Sequence, residues 1–67
     1  MKARNCEMNG CEHVAQNRLT ARFRKDYGLV AIVYLCEIHS PNFEKAFAND
    51  PTAIVSRTYA GIEGFNA

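Results

Sequence analysis

Three things are scarce in this chain, and each scarcity narrows what it can be. Apolar runs are short: the longest, Leu29 to Cys36, has eight residues, against the roughly 20 that a membrane-spanning helix needs. An integral membrane helix is therefore excluded. Cysteines number three, an odd count that cannot all pair within one chain, so a disulfide framework fits less well than a metal, with a buried free thiol at Cys36 and redox-active Cys6 and Cys11 as the alternative. Charge of one sign is not in excess, since eight Lys and Arg stand against seven Asp and Glu for a formal net charge of +1. Global charge thus offers no argument for a polyanionic partner, and only the local distribution can supply one. The opening residues, Met-Lys-Ala-Arg-Asn-Cys, are basic but are not followed by the apolar stretch and small-residue cleavage site of a secretory signal. A reducing, cytoplasmic setting is expected.

What is present argues for one folded unit. Hydrophobic residues make up 48% and charged ones 22% of the 67 residues, a balance that favours a packed chain over a disordered one. No repeat, low-complexity segment or linker interrupts it, so residues 1–67 read as a single domain with its core at about 6–60 and with residues 63–67 frayed. A core of this size does not comfortably offset the entropy of ordering the chain. Such domains need a disulfide, a metal or a partner, and the odd cysteine count favours a metal.

The segment Cys6-Glu-Met-Asn-Gly-Cys11 places Asn9-Gly10 just before the second cysteine, where glycine permits the backbone reversal that lets two sulfurs converge. From Arg18 to Arg24 the residues alternate: Leu19, Ala21 and Phe23 share one strand face, and Arg18, Thr20, Arg22 and Arg24 the other. Lys25-Asp26-Tyr27-Gly28 supplies turn chemistry, and Leu29 to Leu35 is rich in β-branched and aromatic residues. Together these predict a β-hairpin with one basic face. A helix from Val14 to Lys25 competes, because Arg18, Arg22 and Lys25 also fit helical spacing; the alternation and the strong second strand favour the hairpin. Ser40 as N-cap and Pro41 at the first helical position, with Phe43, Ala46 and Phe47 forming a stripe, predict a short helix to about Asn49. Asp50 and Pro51 then read as a second helix start, with Ile54, Val55, Thr58 and Tyr59 on one side and Gly61 as the stop. The β-branched content of that last segment makes a third strand its rival.

Cys6 and Cys11 are separated by four residues, 24 residues follow, and Cys36 and His39 are separated by two. Zinc takes four tetrahedral thiolate and imidazole ligands, and two short turns giving two ligands each, with the hairpin between them, satisfy that requirement. One structural Zn2+ on Cys6, Cys11, Cys36 and His39 is expected. Four protein ligands leave no open position for water or substrate, which marks a structural rather than a catalytic ion. His13 lies near enough to the first pair to replace His39 if the chain bends back. Glu7, Glu12 and Glu37 read as solvated bystanders, since carboxylates beside thiolates add like charge.

The order Cys-x4-Cys, hairpin, then Tyr34-Leu35-Cys36-Glu37-Ile38-His39 leading into a helix resembles the treble-clef group of zinc fingers, over Cys6 to about Asn49. In that group a knuckle and the first turn of a helix each supply two ligands. Two departures stand out: the knuckle has four intervening residues where two is usual, and Pro41 shortens what the helix can offer. The resemblance implies an α+β fold of knuckle, hairpin and short helix, to which the second, C-terminal helix is added. It implies function only broadly, because the group includes nucleic-acid binders, interaction modules and nucleases.

Treble-clef nucleases carry a further histidine on the helix, and Pro41 to Asn49 contains none; with no readable nucleophile arrangement either, the chain is expected not to be an enzyme. Two binding roles remain. One is a protein-interaction adaptor or a modulator of a larger machine, an economy of size that suits a phage or plasmid product, with leftover apolar surface implying a protein partner or homodimerisation. The other is DNA or RNA binding through Arg18, Arg22, Arg24 and Lys25, extended by Lys2 and Arg4. Near-zero net charge puts the protein partner slightly ahead.

Overall fold

The alternation in Asn17–Phe23 (β1) is expressed as a strand in which Leu19 and Ala21 are fully buried while Arg18 and Arg22 face solvent. In the computed structural model, which describes residues 2–24 and 28–66, β1 pairs antiparallel with Leu29–Leu35 (β2), in a register running from Asn17 opposite Leu35 to Phe23 opposite Leu29. The expected hairpin is therefore present. Lys25, Asp26 and Tyr27, to which the turn was assigned, lie outside the described residues.

Ser40–Phe47 (α1) forms the expected helix, but its start differs in detail. His39 occupies the cap position and Ser40 is already helical and wholly buried. Its hydroxyl turns back to donate to the carbonyl of Cys36 at 2.7 Å instead of capping forward. Phe47 meets Phe23 at a centroid distance of 5.6 Å and Phe43 at 5.0 Å, and Glu44 pairs with Arg57 at 3.2 Å. The helix thus lies against one face of the sheet.

The second helix is not formed. Ala53–Tyr59 (β3) is a strand, paired antiparallel with β1 along all seven residues from Asn17 opposite Tyr59 to Phe23 opposite Ala53. Asp50, expected to cap a helix, accepts hydrogen bonds from the Thr52 backbone N–H at 2.9 Å and the Thr52 hydroxyl at 2.6 Å. This closes an Asx-type turn and commits the backbone elsewhere. Ile54, Val55 and Thr58 are stiff at χ1 and suit a pleated surface, and β1 still had an unpaired edge whose N–H and C=O groups needed partners. The sheet order is β2-β1-β3, which makes the arginine-bearing strand the central one.

Fraying of residues 63–67 is also not what the fold shows for Gly64 to Asn66. The Phe65 N–H donates to the Ala15 carbonyl at 3.0 Å, the Arg4 N–H donates to the Phe65 carbonyl at 2.6 Å, and Asn66 bridges to Ala3. The Phe65 ring packs edge-on against Tyr34 at 5.3 Å. Ala67 lies outside the described residues. This return path needs Gly64: its φ is +73°, and a Cβ there would collide with the Val14 side chain and lie 2.9 Å from the Ala15 carbonyl oxygen.

Among the described residues the buried apolar ones are few: Cys6, Ala15, Leu19, Ala21, Leu35 and Cys36. Two of the six are cysteines that the spacing assigns to the metal, and both pack with Leu19 and Leu35 in one cluster against Val33, Phe43 and Val55. Among the described residues no helix is long and apolar enough to cross a membrane.

Gly64→Ala is expected to destabilise the fold by about 2 kcal/mol or more, the left-handed backbone penalty plus a steric clash. Gly10→Ala, at φ +82° with nothing within 4 Å, should lose only the backbone part, roughly 1 kcal/mol. Denaturant unfolding of both variants checks the order.

Candidate metal centre

Each pair of donors is held by its own turn. Between Cys6 and Cys11 the chain reverses at Gly10, with the Cys11 N–H donating to the Met8 carbonyl at 3.0 Å. Short antiparallel contacts hold the ends of this loop: the Cys6 N–H donates to the His13 carbonyl at 2.8 Å, and the Ala15 N–H to the Arg4 carbonyl at 2.8 Å. The second pair sits where β2 ends and α1 begins. There the Cys36 carbonyl accepts both the N–H of Ser40, at 3.0 Å, and its hydroxyl, so the residue that starts the helix also fixes the turn between Cys36 and His39.

Glu7 ties the first turn to the sheet. Its backbone N–H donates to the Tyr34 carbonyl at 2.8 Å, and its carboxylate accepts the Tyr34 N–H. Glu7 is therefore not a solvated bystander but the clamp that seats the knuckle on β2, two residues before Cys36. Nothing in the spacing signals a contact between residues 27 positions apart.

The donor atoms converge. One ligand atom from each of Cys6, Cys11, Cys36 and His39 lies within 4.8 Å of all the others. The Cys11 and Cys36 sulfurs are 3.8 Å apart, and His39 Nδ1 is 3.2 Å from the Cys36 sulfur and 3.6 Å from that of Cys6. A tetrahedron with Zn–S bonds of about 2.3 Å and a Zn–N bond of about 2.0–2.1 Å has S–S edges near 3.8 Å and S–N edges near 3.6 Å. The donor set and its spacing therefore fit a metal ion of zinc's size. His13 is not in this cluster: its Nδ1 lies 3.3 Å from the Cys11 sulfur on the exposed side, where Gly10, Glu12 and His39 border the same shallow opening.

Electrostatics prepares one ligand ahead of the others. Burial alone would push the Cys36 thiol up, but the backbone N–H groups of His39 and Ile38 and the His39 ring face its sulfur and bring it down to about 6. Cys11 is shifted upward: the His13 N–H favours its thiolate, and this is outweighed by desolvation and by the neighbouring Cys6 and Cys36 sulfurs. Three thiols and one imidazole this close together could hold a cation.

No protein-family model, curated protein or solved structure matches this chain. The site is thus read on its own geometry.

The basic residues are not part of the metal cluster. Arg18 and Arg22 stand exposed on the face of β1 opposite Leu19 and Ala21, and Arg24 is exposed just beyond the strand. Lys25 lies outside the described residues. Arg4 lies with its guanidinium 4.3 Å from the Tyr34 ring centroid, and Arg18 is 5.9 Å from that of Phe65. The aromatic partners were not legible, because Phe65 reaches them only through the return of the C-terminal segment.

Because each thiol must shed its proton to bind the ion, apparent zinc affinity should fall as pH drops, with protons released on binding. Calorimetric zinc titrations at several pH values, in buffers of different ionisation enthalpy, measure this directly. An affinity that does not change with pH would contradict it.

Proposed function

We propose that the chain is a zinc-stabilised, non-enzymatic binding module of the treble-clef type, in which one structural zinc holds the knuckle of residues 6–11 to the start of α1. The observation that carries this reading is the convergence of three sulfurs and one imidazole nitrogen, two from each turn, within 4.8 Å of one another. Order of elements supports the treble-clef assignment: knuckle, β-hairpin, then a helix whose first residues follow the second ligand pair. The non-enzymatic reading rests on the donor count, since four protein ligands fill a tetrahedral ion and leave it no substrate position.

A structural centre organises a surface, and here the surface is the face of the sheet turned away from α1. A protein partner and a nucleic acid are the two binding roles that this face suits. Exposed Val30, Ile32 and Ile54 there are the observation that favours a protein partner; the arginines and aromatic rings favour a polyanion with bases.

Native mass spectrometry should find one zinc per chain, and a strong chelator should remove it together with the secondary structure seen by circular dichroism. Zinc sites of this kind contribute on the order of 10 kcal/mol, comparable with the whole stability of a small domain. Cys36→Ser should abolish zinc uptake and folding, whereas His13→Ala should keep one zinc. A folded, metal-free chain would overturn the reading.

A further inference from the structure

Charge on this molecule is segregated by the fold. The three strands contain no aspartate or glutamate. Of the described acids, Glu7, Glu12 and Glu37 flank the candidate metal ligands, Glu44 pairs with Arg57 on the helix-covered face, Asp50 closes the turn before β3, and Glu63 lies two residues before Phe65. Residues opposite one another in register share a face, so on the uncovered side Arg18 stands between Tyr34 and Thr58, and Arg22 between Val30 and Ile54. Arg18, Arg22 and Arg24 make no ion pair with any described residue.

These arginines have no edge to protect. Cationic side chains blunt aggregation on edge strands, but β1 is paired on both sides. Arg18 and Arg22 are four residues apart on one strand face, about 13 Å. Thr20 lies between them, and Ser56 and Thr58 lie beside them on β3, adding hydroxyl donors of the kind that contact phosphates.

At the end of the face near the metal, cations and rings alternate: Arg4 over Tyr34, Tyr34 against Phe65, and Phe65 within reach of Arg18. The Arg4 Nε is buried with no hydrogen-bond partner. Guanidinium planes and aromatic rings are the surfaces on which unpaired bases stack.

We propose that the outer face of the sheet binds single-stranded nucleic acid, with the arginines of β1 on its phosphates and the Tyr34–Phe65 end against its bases. This rests on the reading of the chain as a zinc-stabilised binding module. A single strand is favoured over a duplex because this face is a sheet surface with no helix to enter a major groove; α1 lies on the other side. A second copy of the chain is a poor occupant, since face-to-face pairing sets arginine against arginine with no carboxylate on either strand set. An acidic protein surface anchored on Ile32 and Ile54 is the competing occupant, and it does not account for the stacked rings and guanidinium groups.

The test is fluorescence anisotropy of labelled oligo-dT, about 20 nucleotides long, titrated with the full chain whose zinc content is measured on the same sample. Binding is expected in the micromolar range at about 50 mM salt, with a slope of log K against log salt near −2, as about three phosphate contacts on a single strand give. Combined Arg18→Glu, Arg22→Glu and Arg24→Glu should weaken it more than about tenfold with zinc content unchanged. Tyr34→Ala should weaken it by roughly fivefold. If the triple variant fails to take up zinc, Arg22→Glu alone, at an exposed position, should still weaken binding and lower the salt slope by about 0.7. A zinc-loaded chain that ignores the oligomer, variants that bind it undiminished, or a duplex of equal length bound as tightly would overturn the inference and leave the face to a protein. A metal-free, folded chain that binds the oligomer would instead overturn the zinc reading and uphold this one.

Discussion

Everything else in this fold depends on four donor atoms meeting at one point. The knuckle and the β2–α1 junction are 25 residues apart at the Cys11–Cys36 contact, and a metal held by both would close that loop alongside the Glu7–Tyr34 hydrogen bonds. Solvent-accessible surface is 4884 Å², above the about 4,250 Å² typical of a folded 7.5 kDa protein, so apolar burial has little to spare. Moreover, two of the core's members are the ligand residues themselves. Candidate metal site and core are one structure, since Cys6 and Cys36 pack with Leu19 and Leu35 in the same cluster.

The centre is made rigid by neighbours that bind nothing. Ser40 holds the Cys36 carbonyl with both its N–H and its hydroxyl, and Glu7 grips the Tyr34 backbone at the far side of the same junction. Interactions of this kind orient the side chains that would hold an ion. The N–H groups of Ile38 and His39 perform the electrostatic half of the task by favouring charge on Cys36.

Topology then distributes the surface chemistry. Because β3 returns to the free edge of β1, the alternating arginines lie in the middle of a three-stranded face instead of at the rim of a hairpin, and the hydroxyls of β3 come to lie beside them. No carboxylate stands on any of the three strands. A chain with a net charge of +1 therefore presents one distinctly basic face, which no average over its composition could indicate.

What the sequence determined alone was whatever depends on near neighbours. Gly10 before Cys11, the alternation from Arg18 to Arg24, the β-branched run after Gly28, and Pro41 just inside a helix are local choices, and each element they imply is present. The ligand set was also legible, because few residue types can hold zinc and their pairing left little freedom. Tertiary structure decided what depends on partners distant in the chain. Residues 50–61 carry both helix signals and β-branched side chains, and the unpaired edge of β1 settled the choice, since its backbone groups gain hydrogen bonds from a strand and none from a helix. Likewise the positions of Glu7, Phe65 and Gly64 follow from contacts across 27 to more than 50 residues, for which no spacing in the sequence carries a signal.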